Sequence, residues 1–507
     1  LPLELFNTLT GAIEPIFASD GASVRFYCCG PTVYDYGHIG NFRTFLHVDV
    51  LRRTIKLNGM NVHHVMNVTD VDDKIIRNAA AAHLPIGEYT AKFTRAFFED
   101  SAALSMERPE QIASATENIP EMVALIQKLA AQDIAYKVED GSWYFRIARF
   151  PKYGELSGKD LEGIQDGARI DSDEYDKDSA RDFALWKATK PGETSWQTPL
   201  GEGRPGWHIE CSAMAMKFLG PSFDLHAGGE DLMFPHHENE IAQSESASHQ
   251  TFARHWFHVR FLLVEGRKMS KSEGNFYTLR DLLLQGHRAS AIRFLLLSVP
   301  YRQQLNFTFD GLAAETSAVD RLRTFHQRIA SGIKDGKWPQ ALSESQALDP
   351  GPSLATTITT ADAAFTSALA NDLNTAEARA AIFDVLRAVN TAADRNQLTH
   401  ANAQATLALL AKFDSIFAVL EDHDAELTKS ALAWAEAENR MHEVSAEVLE
   451  KFGVNALSDA AIDALVAERT RAKQQRNFPR ADSIRNDLLA KGILIEDAKD
   501  GVRWKRK

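Results

Sequence analysis

Hydrophobic and polar positions change rhythm several times along the chain. Val24, Phe26 and Cys28 alternate with Arg25, Tyr27 and Cys29, the period-two pattern of a strand. Gly30 and Pro31 break it, and His38 and Gly40 open a predicted helix that runs to about Leu57, with Gly59 where a C-cap belongs. Asn61 to Asn67 reads as a second strand ending at Thr69-Asp70. Strand, helix and strand form a βαβ unit, so the strands should be parallel with a right-handed crossover. Ligands in such sheets sit at the carboxyl ends of the strands, which places 28–31 and 67–70 together.

Residues 73–133 read as helical, with breaks near Pro85, Pro109 and Pro120. Between 134 and 190, short strand-like runs such as Trp143-Tyr144-Phe145 alternate with Gly- and Asp-rich turns, and Asp171 to Asp182 is strongly acidic. That stretch is expected to be an insertion. The α/β rhythm returns over 203–264: a helix after Trp207, a strand from Phe223 to His226, a turn at Gly228-Gly229-Glu230-Asp231, a helix over 235–247 with Pro235 near its start, and a strand from Phe257 to Val264. Glu265-Gly266 then turns into Lys268-Met269-Ser270-Lys271-Ser272. After about Asn306 the spacing is helical over 310–334, 355–394 and 400–420, with 335–353 a loop. Acidic residues from 421 to 427 mark a second shift. Beyond it, helices are predicted over 429–452, 458–476 and 479–491, then a Gly492 cap and a strand from Ile493 to Glu496. There are no internal repeats.

Composition narrows the class. The 507 residues are 44% hydrophobic and 25% charged, which suits two to four globular domains and excludes disorder or a fibre. Three cysteines, two of them adjacent, cannot build a disulfide framework and fit a reducing compartment. With no apolar run long enough for a bilayer and no signal peptide, a cytoplasmic location is expected. Opening on Leu1 reads as a trimmed start. A net charge of −13 argues weakly against nucleic-acid binding, but a total does not exclude a local basic face.

Three constellations carry possible chemistry. His236 and Glu240, four apart on a predicted helix, share a face; with Cys29 at a strand end and Cys211 at a helix start they offer two thiolates, an imidazole and a carboxylate, a donor set suited to Zn²⁺. The plain alternative is that Cys211 is buried filler and His236-His237 a polar helix start. Cys28 and Cys29 face opposite ways, so one can serve; Cys29 is the choice. A helix opened by His38, Gly40 and Asn41, facing a loop bearing Lys268 and Lys271, could hold a triphosphate, although each alone also reads as a cap or a solvated basic loop. Arg469, Arg471, Lys473, Arg476 and Arg480, with Arg503-Trp504-Lys505-Arg506-Lys507, suit phosphate contact plus stacking, or else a solvated face and a frayed tail. His63-His64, His255 and His258 read as packing or surface residues, and Asp72-Asp73 as a helix cap.

In their order and spacing, these segments resemble the bacterial cysteinyl-tRNA synthetases, class I aminoacyl-tRNA synthetases. The resemblance rests on 27–35 with His38-Ile39-Gly40-Asn41, on Asn67 to Ile75, on Gly203 to Met214, on Asp231 to Glu240, on the lysine loop 268–272 and on the terminal Gly501-Val502-Arg503-Trp504. It implies an α/β protein with a Rossmann-type parallel-sheet catalytic domain at 1–305, carrying an insertion at about 115–200 and a lysine-loop and stem-contact region at about 256–305. An α-helical tRNA-binding bundle at 306–422 and a small mixed α/β anticodon-binding module at 423–507 follow. It implies one Zn²⁺ per chain on Cys29, Cys211, His236 and Glu240, binding the substrate thiolate. Thr69 and Trp207 would line the cysteine pocket, His38, Gly40 and Asn41 would meet ATP phosphates, and Gly228, Gly229 and Asp231 the adenosine. Lys271, assisted by Lys268, would stabilise the phosphate in flight. His38, Asn41, Lys268 and Lys271 are then the catalytic set, with ATP and its Mg²⁺, L-cysteine and tRNA(Cys) as partners of a monomer.

Two departures are local. Asn41 stands where class I commonly has His, and a proline expected just before Asp182-Phe183 is missing. Rival readings are an amide ligase of mycothiol synthesis, which shares the catalytic domain but lacks the C-terminal module, and an inactive RNA-binding paralogue, against which the intact lysine loop argues.

Overall fold

The computed structural model describes residues 2–159, 182–342, 353–452, 459–491, 493–498 and 501–506. The acidic stretch over 171–181, the missing-proline turn at 178–181 and the Gly492 cap lie outside them.

The centre is a five-stranded parallel sheet, in spatial order Ala253–Val259, Phe223–Gly229, Ser23–Cys28, Asn61–Val68 and Gln111–Ser114. The predicted βαβ unit is its heart: Ser23 pairs with Asn61 and Cys28 with Met66, in parallel. The connecting helix Ile39–Leu57 is buried on almost every side, with Phe42, Leu46, Val50 and Leu51 inaccessible. Each such side chain contributes about 1.5–3 kcal/mol by leaving water. Cys28 points into the main core and Cys29, just past the strand end, to the other face, as pleating requires.

Pro85, Pro109 and Pro120 do sit at element boundaries: Pro85 caps the helix Ile86–Ala103, and Pro120 lies in the first turn of the helix Ile119–Ala130. Between them the helical expectation fails, because Gln111–Ser114 is the edge strand of the sheet. Four residues without alternation leave no periodic trace. The insertion forms an antiparallel sheet in the order Ala135–Lys137, Trp143–Phe145, Phe183–Ala188, Gly201–Pro205, Trp196–Thr198, so it extends past 203 before the parallel pattern resumes. The strand from Phe223 runs on through Gly228 and Gly229, which are therefore strand rather than turn. The apolar run 257–264 is split. One strand ends at Val259, the Arg260 N–H donates to Tyr301 O, and Leu262–Val264 joins a different sheet beside Leu305–Phe307.

Beyond Phe309 the chain is helical: Phe309–Lys334, Leu354–Ala370, Thr375–Asp394 and His400–Phe417. The predicted helix 355–394 is two, parted at Asp372 and Leu373, both with positive φ. Asp372 Oδ1 accepts the Phe6 N–H there, tying this corner to the N-terminal hairpin Glu4–Asn7 and Ala12–Pro15. Buried Arg293 locks the bundle to the core helix, pairing with Asp49 at 2.8 Å and donating to Leu104 O and Ile416 O. The 429–452 expectation resolves into Asp424–Ala437, a short turn Met441–Glu443 and Ala446–Lys451. Helices Asp459–Gln474 and Phe478–Ala490 pack with an antiparallel hairpin, Ile493–Ala498 against Gly501–Arg506. The terminal residues are thus a strand, and Trp504 Nε1 donates to Asp463 at 2.7 Å.

Candidate active site

A cleft of about 930 Å³ opens at the carboxyl ends of the parallel strands, and all the sequence-predicted catalytic, cysteine-pocket and metal residues except Glu240 line it. At its floor Cys29, Cys211, His236 and Glu240 bring one ligand atom each within 4.8 Å of one another, all buried. Cys29 Sγ lies 3.7 Å from Cys211 Sγ and 3.4 Å from Glu240 Oε1, and His236 Nε2 lies 3.1 Å from that oxygen. Cys211 sits one turn into the helix Trp207–Leu219, and Glu240 in the first turn of Glu238–Ser248. Two sulfurs, one imidazole and one carboxylate form a borderline-soft, four-membered set that fits zinc.

The electrostatics of this floor are those of a cation site. Burial opposes ionisation of Cys211, yet hydrogen bonding with Cys29 and the charge of His236 hold its thiol at about 6. Burial likewise disfavours a charged His236, but Cys211 and Glu240 lift it to about 10. Glu240 is kept ionised, at about 2, by His226 and His236 against the cost of burial. Burial and the neighbouring Cys211 push the Cys29 thiol well up.

Three further histidines, His208, His226 and His237, complete the floor. His208 Nδ1 lies 2.8 Å from His236 Nδ1, which turns His236 Nε2 toward the sulfurs, as an outer-shell partner does. His226 and His237 form a second donor group with the same Cys29 and Glu240, His237 Nε2 lying 3.3 Å from Cys29 Sγ. The shared pair means that the two groups compete for one ion. His237 Nδ1 in turn meets His258 Nε2 at 2.8 Å, so His258 is a packing residue as expected, but one behind the site. His64 and His255 are buried, His64 stacked on Phe26.

Above the floor, Trp207 leans on His236 with ring centroids 4.5 Å apart and remains 37% exposed. Thr69 Oγ1 donates to Glu210 Oε2 at 3.0 Å and accepts from Asn67 Nδ2 at 3.1 Å. Glu210 is buried, and its Oε1 has no partner; burial first, and then Cys211, push its carboxyl well above the usual range. Gly30 separates this side from the next. A Cβ there would stand 1.7 Å from the Asn67 carbonyl oxygen, so the backbones touch where a side chain would part them.

The far side is the helix N-terminus. His38 is the N-cap of Ile39–Leu57, and it and Asn41 form a reciprocal capping box: the Asn41 N–H donates to His38 Nδ1 and the His38 N–H to Asn41 Oδ1, each at 3.1 Å. His38 Nδ1 is thereby an acceptor, which leaves its proton on Nε2 as a donor. Burial, and then the charge of Lys271, lower this imidazole to about 4, so it is neutral near pH 7. At Gly40 a Cβ would press on the His38 ring at 2.9 Å and on Met269 at 3.2 Å.

Lys268 ends the short strand Arg267–Lys268, and Asn275 ties the following loop, accepting from the Ser270 N–H and donating to Lys268 O. Lys271 reaches across the mouth to Asp35, with Nζ 2.5 Å from Oδ2. The pair is exposed, so it contributes at most about 1 kcal/mol and yields readily to a stronger anion. Close packing favours glycine at 228, where a Cβ would meet the buried His237 ring at 2.7 Å, while at 229 it would displace only the Asp231 carboxylate, 2.3 Å away. Asp231 is exposed at the cleft edge.

No helix among the described residues is long and apolar enough to cross a membrane. A family model for the tRNA synthetases class I (C) catalytic domain matches residues 16–317, and one for the DALR domain matches 364–421. In fold the chain is similar to methionyl-tRNA synthetase of Mycobacterium tuberculosis bound by methionyl-adenylate, with a TM-score of 0.60 at 14% identity, covering 86% of this chain and 97% of that one. It is 57% identical to a cysteine--tRNA ligase of Koribacter versatilis and 50% identical to one of Solibacter usitatus, each over 100% of both chains. The sulfur-bearing floor and the capped helix N-terminus are thus met in a chain that belongs to the cysteine--tRNA ligase family of class I tRNA synthetases.

Proposed function

We propose that the chain activates L-cysteine with ATP, releasing pyrophosphate, and passes the cysteinyl group to the 3′ end of tRNA(Cys). The observation that carries this is the pairing, in one cleft, of a thiol-compatible metal floor with a neutral-donor helix cap faced by exposed cations. Cys29, Cys211, His236 and Glu240 would hold zinc, which when bound supplies a soft Lewis acid that favours a thiolate over a hydroxyl. Trp207 and Thr69 close the side-chain pocket, and the charge of the substrate ammonium would draw Glu210 into its carboxylate form, whose Oε1 then accepts from it. A pocket judged by size alone would separate cysteine from serine weakly; a donor set selective for sulfur does it without an editing step.

The remaining residues act on the phosphates of ATP, which would enter with Mg²⁺. His38 Nε2–H, the Asn41 side-chain amide and the Gly40 N–H at the helix start orient the triphosphate. Lys271, exchanging Asp35 for phosphate, and Lys268 stabilise the charge that develops as the cysteine carboxylate attacks the α-phosphate. Gly228, Gly229 and Asp231 border the adenosine. We assign 1–305 to catalysis, with the insertion extended to 205, 306–422 to a helical bundle against tRNA, and 423–507 to the anticodon.

The test is cysteine-dependent ATP–pyrophosphate exchange, followed by charging of tRNA(Cys). Exchange with cysteine and only trace exchange with serine is expected. No exchange would refute the reading, and exchange without any acyl-tRNA would turn it toward the amide ligase.

A further inference from the structure

Residues 424–443 lie far along the chain from the phosphate end of the cleft, yet they are bonded to both loops that form it. Trp434, on the helix Asp424–Ala437, donates its Nε1–H to Tyr36 Oη at 3.0 Å, and the two rings meet edge-on with centroids 5.2 Å apart. Tyr36 stands two residues before His38. Arg440 lies over the Trp434 ring at 4.7 Å and binds Asp281 Oδ1 at 2.9 Å.

Asp281 is half of a capping box with Thr278: its Oδ2 accepts the Thr278 N–H at 2.9 Å, and its own N–H donates to Thr278 Oγ1 at 3.1 Å. Thr278 bridges to His38, and the Ile39 N–H donates to Tyr277 O at 3.0 Å. Tyr277 and Thr278 are where the chain leaves the lysine loop. Arg280 fills the gap, 5.2 Å from the Tyr36 ring and 5.1 Å from Trp434, anchored on Asp100 at 2.8 Å.

One segment therefore grips the chain just before His38 and just after the lysine loop. The segment packs Ala431, Leu432 and Ala435 into the main core, and its contacts with these two loops are directed polar bonds and ring contacts on half-buried side chains. We propose that this segment is a strap that sets the separation of the two phosphate-binding loops, with Trp434 and Arg440 as positioning residues for the phosphoryl-transfer step. The proposal rests on reading the cleft as an ATP site. A shift of about 1 Å between groups that must converge on one phosphate can cost on the order of a hundredfold, so small bonds at this spot have leverage. The strap begins where the helical bundle ends and leads on to the basic C-terminal helices. A load on those helices would thus reach His38 and Lys271 through two named bonds rather than through the metal floor.

The experiment uses Trp434→Phe, Tyr36→Phe and Arg440→Ala in the full-length, zinc-loaded chain. Each phenylalanine variant keeps a ring and removes one partner of the same hydrogen bond. In cysteine-dependent exchange the ATP KM is expected to rise about three- to tenfold, the worth of one such bond, with the cysteine KM held within about twofold. The two phenylalanine changes together should be no worse than either alone. Arg440→Lys should recover part of the loss. A role confined to stability would instead lower Tm while leaving both KM values unchanged, and that result overturns the proposal. Amide hydrogen exchange over 34–42 and 276–282 gives a readout independent of catalysis. Faster exchange in both segments in each variant supports the strap, and unchanged exchange overturns it. Were the wild-type chain inactive with cysteine, the reading of the cleft would fall, and hydrogen exchange alone would decide the strap.

Discussion

The two ends of the cleft are built on opposite terms. At the floor, Cys29, Cys211, His236 and Glu240 are between 0% and 5% exposed, and His236 and Glu240 are oriented by the buried His208 and His226. At the mouth, Lys271 is 63% exposed and held by a single surface carboxylate. On the function proposed above, the difference follows from what each end would do. Selecting a thiol among similar small groups requires donors fixed before the substrate arrives, since their geometry is the criterion. Gripping a triphosphate and then letting pyrophosphate go requires cations that can change partner at little cost. The two ends are set side by side, with the backbone contact of Gly30 and Asn67 between them.

The largest expected effect tests whether the floor acts alone. Cys211→Ala should lose bound zinc and raise the cysteine KM on the order of a hundredfold or more, while the ATP KM moves little. Metal content and the two KM values measure this, and an equal rise in both would mean that the ends are one unit. Next is the mouth. Lys271→Ala should lower kcat for exchange about a hundredfold with cysteine affinity nearly unchanged. A change confined to the cysteine KM would reverse the assignment.

The smallest effect sets the ends against the body of the protein. His47, His64 and His255 lie outside both, and burial depresses all three, His64 to about 3 and His255 to about 4. Their folded values lie below the unfolded 6.5, so at mildly acid pH the unfolded chain binds more protons and stability falls as pH falls through 6.5. Tm of the zinc-loaded protein should drop by about 2–4 °C between pH 7.5 and 5.5, and His64→Gln should relieve part of that slope. A Tm that rises on acidification would contradict it.

The strand, turn and helix around Gly30 were legible because alternation, a break and a buried helical run are local patterns. So was the pairing of His236 with Glu240, four residues apart. The short edge strand Gln111–Ser114 and the split at Arg260 were not, because four residues carry no period and a continuous apolar run does not say which sheet it joins. At the site, the roles of His208, His226, His237 and Glu210 were not legible, for a related reason. Each earns its place through one partner on another element, such as His208 on His236 or Glu210 on Thr69. Trp434 and Tyr36 are 398 residues apart, beyond any pattern in the chain.

The capping box of His38 and Asn41 has a consequence for how this protein can fail. The bonds that begin the largely buried helix Ile39–Leu57 also fix which nitrogen of His38 carries the proton. Completing the helix and arming the donor are therefore one event, and no properly folded molecule should carry the wrong tautomer. Damage at either residue should register twice, as a softer core and as a weaker grip on the nucleotide. For this pair of side chains, robustness and turnover rise and fall together instead of being traded against each other.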